Sequence, residues 1–168
     1  FSEALVAVNL SNNSKSQQKA TNADIHGYPM PAAFDAQLST DKIYDALITG
    51  IRDYFGKMGF TKAIVASSGG IDSAVTLALA CQALGSANVH ALLMPSQFST
   101  GHSVDDAVQL SENLGNPYDT IPIRDIFDQY RLALKPVFKD LPFSVAEENL
   151  QSRIRGALVM ALSNKFGS

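Results

Sequence analysis

Cysteine is almost missing from the chain: Cys81 is the single one among 168 residues, so no internal disulfide can form. It lies in an Ala/Leu-rich helical run and reads as a small buried apolar residue. Without a disulfide framework the expected setting is reducing and cytoplasmic. Excess positive charge is lacking too. Thirteen Lys and Arg face 16 Asp and Glu, for a net charge of −3 and a pI near 5.5, which argues against nucleic acid as the main partner. No apolar run approaches a membrane span, so no membrane partner is expected, and the start shows no secretory signal pattern. The usual phosphate loop is also excluded, because no Gly-Lys-Ser/Thr follows the glycine turn, and so is the dinucleotide fingerprint G-x-G-x-x-G. What remains is 46% hydrophobic and 17% charged with a mean hydropathy of +0.03, the composition of a globular domain with one sizeable core.

The stretch that organises the rest is Ser67-Ser68-Gly69-Gly70-Ile71-Asp72-Ser73. A short apolar segment, residues 63–66, precedes it, and a run of small apolar residues from Ala74 to Ala80 follows. The pattern predicts a buried strand, a glycine turn and a well-covered helix. Glycines let backbone approach a ligand closely, and the helix start adds unpaired amides and the positive end of the dipole. An anion, most often a phosphate, suits such a place. Without a ligand the same residues would be a capped βα turn.

Residues 1–10 read as a strand, residues 11–19 as a polar low-complexity linker, and Pro29 and Pro31 keep the next segment extended. A helix is expected from Ser39 or Thr40, with Ile43, Leu47, Ile51, Tyr54 and Phe55 at helical spacing and Gly56 or Gly59 at its end. The helix after the glycine turn closes at Gly85. Residues 89–94 form a second buried strand, ended by Pro95 and parallel to the first. His90 within it is expected to be packed and hydrogen-bonded. Residues 96–103 form a polar loop at that strand's carboxyl end, where open α/β sheets bind ligands. Ser103 and Asp106 suggest a capping box for a helix with Val104, Ala107, Val108 and Leu114 inward, and Asp105 and Asp106 would match the dipole at its start. Residues 118–123 read as a third, shorter strand, with helices over 126–134 and from Val145 onward. The alternation predicts an α/β fold, a parallel sheet flanked by helices.

The second chemical signal is Glu147-Glu148-Asn149-Leu150-Gln151-Ser152-Arg153-Ile154-Arg155-Gly156. On a helix Leu150, Ile154, Ala157 and Ala161 would form an apolar stripe, with Asn149 and Arg153 one turn apart on another face. Alone, such a segment is an amphipathic helix with solvated charges. Ser-Gly-Gly-x-Asp-Ser, however, resembles the signature of the PP-loop ATP pyrophosphatases, and the two motifs together resemble NAD synthetase within that family. The resemblance covers residues 43–167. It rests also on Met-Pro-Ser-x-Phe-Ser-x-x-His-Ser (94–103), Asp-Asp-Ala (105–107) and Glu-Asn-Leu-Gly (112–115). It is most similar to the glutamine-dependent branch.

The resemblance implies an adenine nucleotide α-hydrolase-like, Rossmann-like domain over residues 36–168, incomplete at its carboxyl end, preceded in residues 1–35 by the end of a glutaminase-like domain and a linker. It implies ATP-driven amidation of deamido-NAD through an adenylated intermediate, with ammonia supplied from glutamine and AMP and pyrophosphate released, in a homodimer or larger homo-oligomer. Ala66, Ser67, Ser68, Gly69, Gly70, Ile71, Asp72, Ser73 and Met94 would bind ATP. Asp72 would be the catalytic Mg²⁺ ligand, and Asn149, Arg153 and Arg155 would contact deamido-NAD. Three positions depart from the family pattern: Ser67 for a usual Leu, Gln97 for a frequent Arg and Gly101 for a frequent Asp. The family's Thr-Gly-Asn-Lys-Ser-Glu run does not occur in these residues. Two other readings remain, a GMP synthetase-like PP-loop ligase and an adenine-nucleotide-binding module without turnover.

Overall fold

In the computed structural model the described residues are 39–139 and 141–167. The expected first strand, the linker and the proline-rich segment lie outside them. Two units divide the chain, Phe1–Ala46 and Leu47–Ser168. The first is described only over residues 39–46, the start of helix α1 (Thr40–Met58).

The second unit continues α1 and adds β1 (Ala63–Ser67), α2 (Ile71–Leu84), β2 (Val89–Leu93), α3 (Gly101–Leu114), β3 (Tyr118–Thr120), α4 (Arg124–Phe138) and α5 (Val145–Phe166). The strands form one parallel sheet in the order β1-β2-β3, with Ser67 opposite Leu93 and Leu93 opposite Thr120 at the carboxyl edge. Apart from His90, the central strand β2 is apolar on both faces because helices cover both, so it shows no polar alternation. Val89, Ala91 and Leu93 pack with Leu77, Ala80 and Cys81 of α2 and Ala107 of α3. Leu92 and Met94 point the other way, into Phe127 of α4 and Ile154 of α5. Cys81 is buried as expected, and burial raises its thiol pKa. His90 is half-buried, its Nε2 2.9 Å from Asp119 Oδ2 on the neighbouring strand.

Helix ends follow local chemistry. Past α1, Gly59 takes φ 72° and Phe60 N–H donates to the Phe55 carbonyl, a left-handed turn open to glycine. Buried Ile48 and half-buried Ile51 and Phe55 form the inner side of α1, while Leu47 and Tyr54 are exposed. Arg52 reaches from α1 to the end of α2, donating to the Gln82 and Ala83 carbonyls at 3.0 and 3.1 Å, two of the acceptors a helix end leaves unpaired.

Several expectations need correction. The cap of α3 is Thr100, whose Oγ1 accepts from Ser103 N–H; the Ser103–Asp106 box does not form. The helix therefore starts at Gly101, and Asp105 and Asp106 fall in its second turn. The third strand ends at Thr120, although Ile121 and Ile123 continue the ladder by donating to the Leu93 and Pro95 carbonyls. Helix α4 runs from Arg124 to Phe138 and carries Pro136 in its last turn, where the missing N–H removes a single bond. On α5 the inner face is Glu147, Gln151, Ile154, Leu158 and Leu162, with Leu150 at its margin, whereas Ala157 and Ala161 are exposed.

Candidate functional site

The glycine turn between β1 and α2 is held by its own hydroxyls. Ser73 Oγ donates to the Gly70 carbonyl at 2.8 Å and accepts from Ser68 N–H at 3.2 Å. Ser68 Oγ lies 3.1 Å from Ser73 Oγ and accepts from Gly70 N–H at 3.3 Å. Gly69 adopts φ 79°, and a Cβ there would overlap the Ser103 backbone carbonyl. Glycine is thus required twice, for the left-handed backbone and for the close approach to α3. Gly70 caps α2 without a side-chain bond, and the first amide to turn back is Ala74, donating to Gly70 O. The amides before it stand at the positive end of the helix, an arrangement that takes an anion.

Beside this turn, at the carboxyl ends of β1 and β2, lies a cavity of about 250 Å³. Its wall includes Ala66, Ser67 and Ser68 from β1 and the turn, Met94 and Pro95 after β2, Ser103 and Val104 from α3, and Arg155 from α5. Arg155 is positioned by its Nε–H, which donates to the Met94 carbonyl over 3.2 Å. Burial lowers the guanidinium pKa below its ordinary value, since desolvation disfavours the charged form. A second depression, lined by Ser96, Phe98, Ser99, Phe143, Glu148, Gln151 and Arg155, shares Ser99 and Arg155 with the first. Phe98 and Phe143 meet edge to face across it, centroids 5.8 Å apart.

Of the residues expected to bind a nucleotide, the structure brings Ala66, Ser67, Ser68 and Met94 to the cavity. Gly69, Gly70, Ile71, Asp72 and Ser73 form the turn and helix start next to it, with Ile71 and Asp72 exposed. Of the three expected substrate contacts, Arg155 alone lines the cavity. Asn149 and Arg153 are exposed on the outer side of α5, joined by an Arg153 Nη1–H bond of 3.3 Å to the Asn149 carbonyl. Sequence reasoning missed Ser99, Val104 and Ala107 as wall residues, though the first belongs to the polar loop after β2.

Asp72 is the one carboxylate in the first turn of α2, and among the described residues no ion pair engages it. Three or more His, Cys, Asp or Glu side chains gather nowhere among the described residues in a way that could hold a metal. A single carboxylate beside the free amides of a helix start is nevertheless compatible with Mg²⁺, which is commonly held by one or two carboxylates plus phosphate oxygens. Among the described residues no helix is long and apolar enough to cross a membrane.

The chain is 53% identical over 130 residues to the glutamine-dependent NAD(+) synthetase of Synechocystis sp., covering 77% of this chain and 23% of that protein. It is 39% identical over 168 residues to the enzyme of the same name from Rhodobacter capsulatus, covering 100% of this chain and 29% of the relative. The chain thus spans about a quarter of the length of these relatives. Among solved structures, the glutamine-dependent NAD+ synthetase from Acinetobacter baumannii in complex with adenosine diphosphate superposes with a TM-score of 0.76 at 42% identity, over 78% of this chain and 25% of that one. The family model described as NAD synthase matches residues 43–168, and the chain belongs to that family.

Proposed function

We propose that this chain carries the synthetase part of a glutamine-dependent NAD synthetase, which amidates deamido-NAD at the expense of ATP. The observation that carries the reading is the cavity at the carboxyl ends of β1 and β2, flanked by the Ser-Gly-Gly-Ile-Asp-Ser turn and closed by Met94 and Arg155. The ADP named with the Acinetobacter baumannii structure supports an adenine nucleotide as occupant.

In this reading the deamido-NAD carboxylate attacks the α-phosphorus of ATP, forming a C–O–P anhydride as the bond to pyrophosphate breaks. Ammonia, supplied from glutamine, then attacks the acyl carbon, and AMP leaves with the carboxylate oxygen. No side chain of this chain acts as nucleophile. The amides at the start of α2 neutralise the departing pyrophosphate. Asp72 would hold Mg²⁺, which would supply charge neutralisation on the phosphates. Arg155, standing between the two depressions, faces the place where both substrates meet. The depression with Phe98 and Phe143 takes the acyl donor, and Asn149 and Arg153 hold the part of deamido-NAD that extends over the outer side of α5. A cytoplasmic homodimer or larger homo-oligomer belongs to the same reading.

The test is mass-spectrometric detection of products from ATP, Mg²⁺, deamido-NAD and ammonium with the full-length protein. NAD together with AMP supports the assignment. A folded protein that yields no NAD overturns it and redirects the search to another PP-loop substrate or to nucleotide binding without turnover.

A further inference from the structure

We propose that the Ser67 hydroxyl is a specificity-determining contact for the nucleoside part of the bound nucleotide; this rests on the adenine-nucleotide reading above. Ser67 ends β1 on the side of the sheet where Ala63, Val65 and Leu93 pack into the apolar layer beneath α2 and α3. Its strand neighbours there are apolar. Ser67 is 5% exposed, and its Oγ is sealed from solvent with no hydrogen-bond partner among the described residues. Ser111 of α3 is the other buried serine whose hydroxyl has no partner among the described residues, but unlike Ser67 it does not line the cavity. An unmade hydrogen bond on a buried hydroxyl costs stability, so such groups call for an explanation.

The cavity supplies one. Ser67 is part of its wall, between Ala66, Leu93, Met94, Val104 and Ala107, which offer apolar surface to the faces of a flat ring. The staggered wells about Cα–Cβ let Oγ reorient without backbone movement. A serine hydroxyl can donate to a ring nitrogen or accept from an exocyclic amine. Ser68 and Ser73 are different: their hydroxyls are bonded to each other and to Gly70 in the turn that faces the phosphates. Ser67 therefore reads the base or sugar and leaves the phosphates to the turn.

The experiment is calorimetric titration of the full chain and its Ser67→Ala variant with ADP, together with the melting temperature of each free protein. The expected result is about tenfold weaker ADP binding, the worth of one hydrogen bond, with a free-protein melting temperature equal to or above the parent's. Unchanged ADP affinity overturns the assignment while leaving the nucleotide reading intact. Weaker binding accompanied by a lowered melting temperature also overturns it, because the hydroxyl would then be structural. A parent that binds no ADP overturns the assignment together with the reading on which it rests.

Discussion

Gly69 lies against the backbone carbonyl of Ser103 so closely that no side chain fits between them. The turn after β1 is thereby seated on the first turn of α3, and both form the rim of one cavity. Replacing Gly69 by Ala should unseat the turn. A left-handed backbone costs a non-glycine residue about 1–2 kcal/mol, and here overlap with Ser103 adds to it. We expect a folded variant with a melting temperature lower by several degrees and nucleotide binding lost. Retained ADP affinity in calorimetry would show that the turn does not need this seat.

Arg155 should tolerate no shortening. Its truncation to Ala leaves the Met94 carbonyl without its donor, and an unsatisfied buried acceptor costs about 1–3 kcal/mol. Lys keeps the charge but not the directed Nε–H. Both variants should melt below the parent and bind ADP more weakly, with Lys closer to Ala than to Arg. A Lys variant equal to the parent in both measurements would reduce Arg155 to a point charge.

Asp72 is exposed and its carboxylate has no ion-pair partner among the described residues, so Asp72→Asn should leave the melting temperature within about 1 °C of the parent, since exposed substitutions away from special features change stability little. Binding of Mg·ATP should weaken by at least about tenfold, while metal-free nucleotide binds at least as well, since a repulsive carboxylate is gone. Equal Mg·ATP affinity in the two proteins would remove Asp72 from the metal site.

Glu147 carries a dependence on acidity. Its Oε2 accepts from Ser144 N–H at 2.8 Å and from the Ser144 hydroxyl at 3.2 Å, completing the capping box of α5. The Ser144 backbone bond is the largest cause holding its pKa below the ordinary value. A folded pKa below the unfolded one stabilises the protein above the unfolded value, about 4.3 for Glu. That contribution is lost as pH falls through the folded pKa. Thermal melts of the parent and Glu147→Gln from pH 6 down to pH 3 should therefore converge as the pH falls. Parallel curves would mean that the carboxylate is not linked to folding.

Apolar runs made the sheet legible. Both apolar runs are strands, but only the second, Val89–Leu93, is buried as expected, with half-buried His90 finding Asp119; in the first, residues 63–65 are half-buried and Ala66 is exposed. The start of α3 was harder, since Thr100 and Ser103 both carry a capping hydroxyl; Thr100 wins, and Ser103 becomes the residue whose N–H it accepts. On α5, counting Ala with Leu rotated the expected inner face by about 80°, at 100° per residue. Glu147, Gln151 and Arg155 point inward because that face meets the helix cap and the cavity, which polarity alone does not reveal. The turn and its glycines were readable from residue types as a tight loop at a helix start. The walls contributed by Ser99, Val104 and Ala107 were not, because they come together only when α3 packs across the ends of β1 and β2.

Leu93 and Met94 are consecutive, yet one belongs to the apolar layer under α2 and α3 and the other to the layer under α4 and α5. The cavity touches both residues, so an occupant would contact both halves of the interior. Saturating ligand should slow amide hydrogen exchange in α2 and in α5 alike, because binding to the native state alone suppresses every opening that breaks the site. Conversely, a methyl group removed deep in either layer, far from any ligand atom, would be felt as a change in affinity.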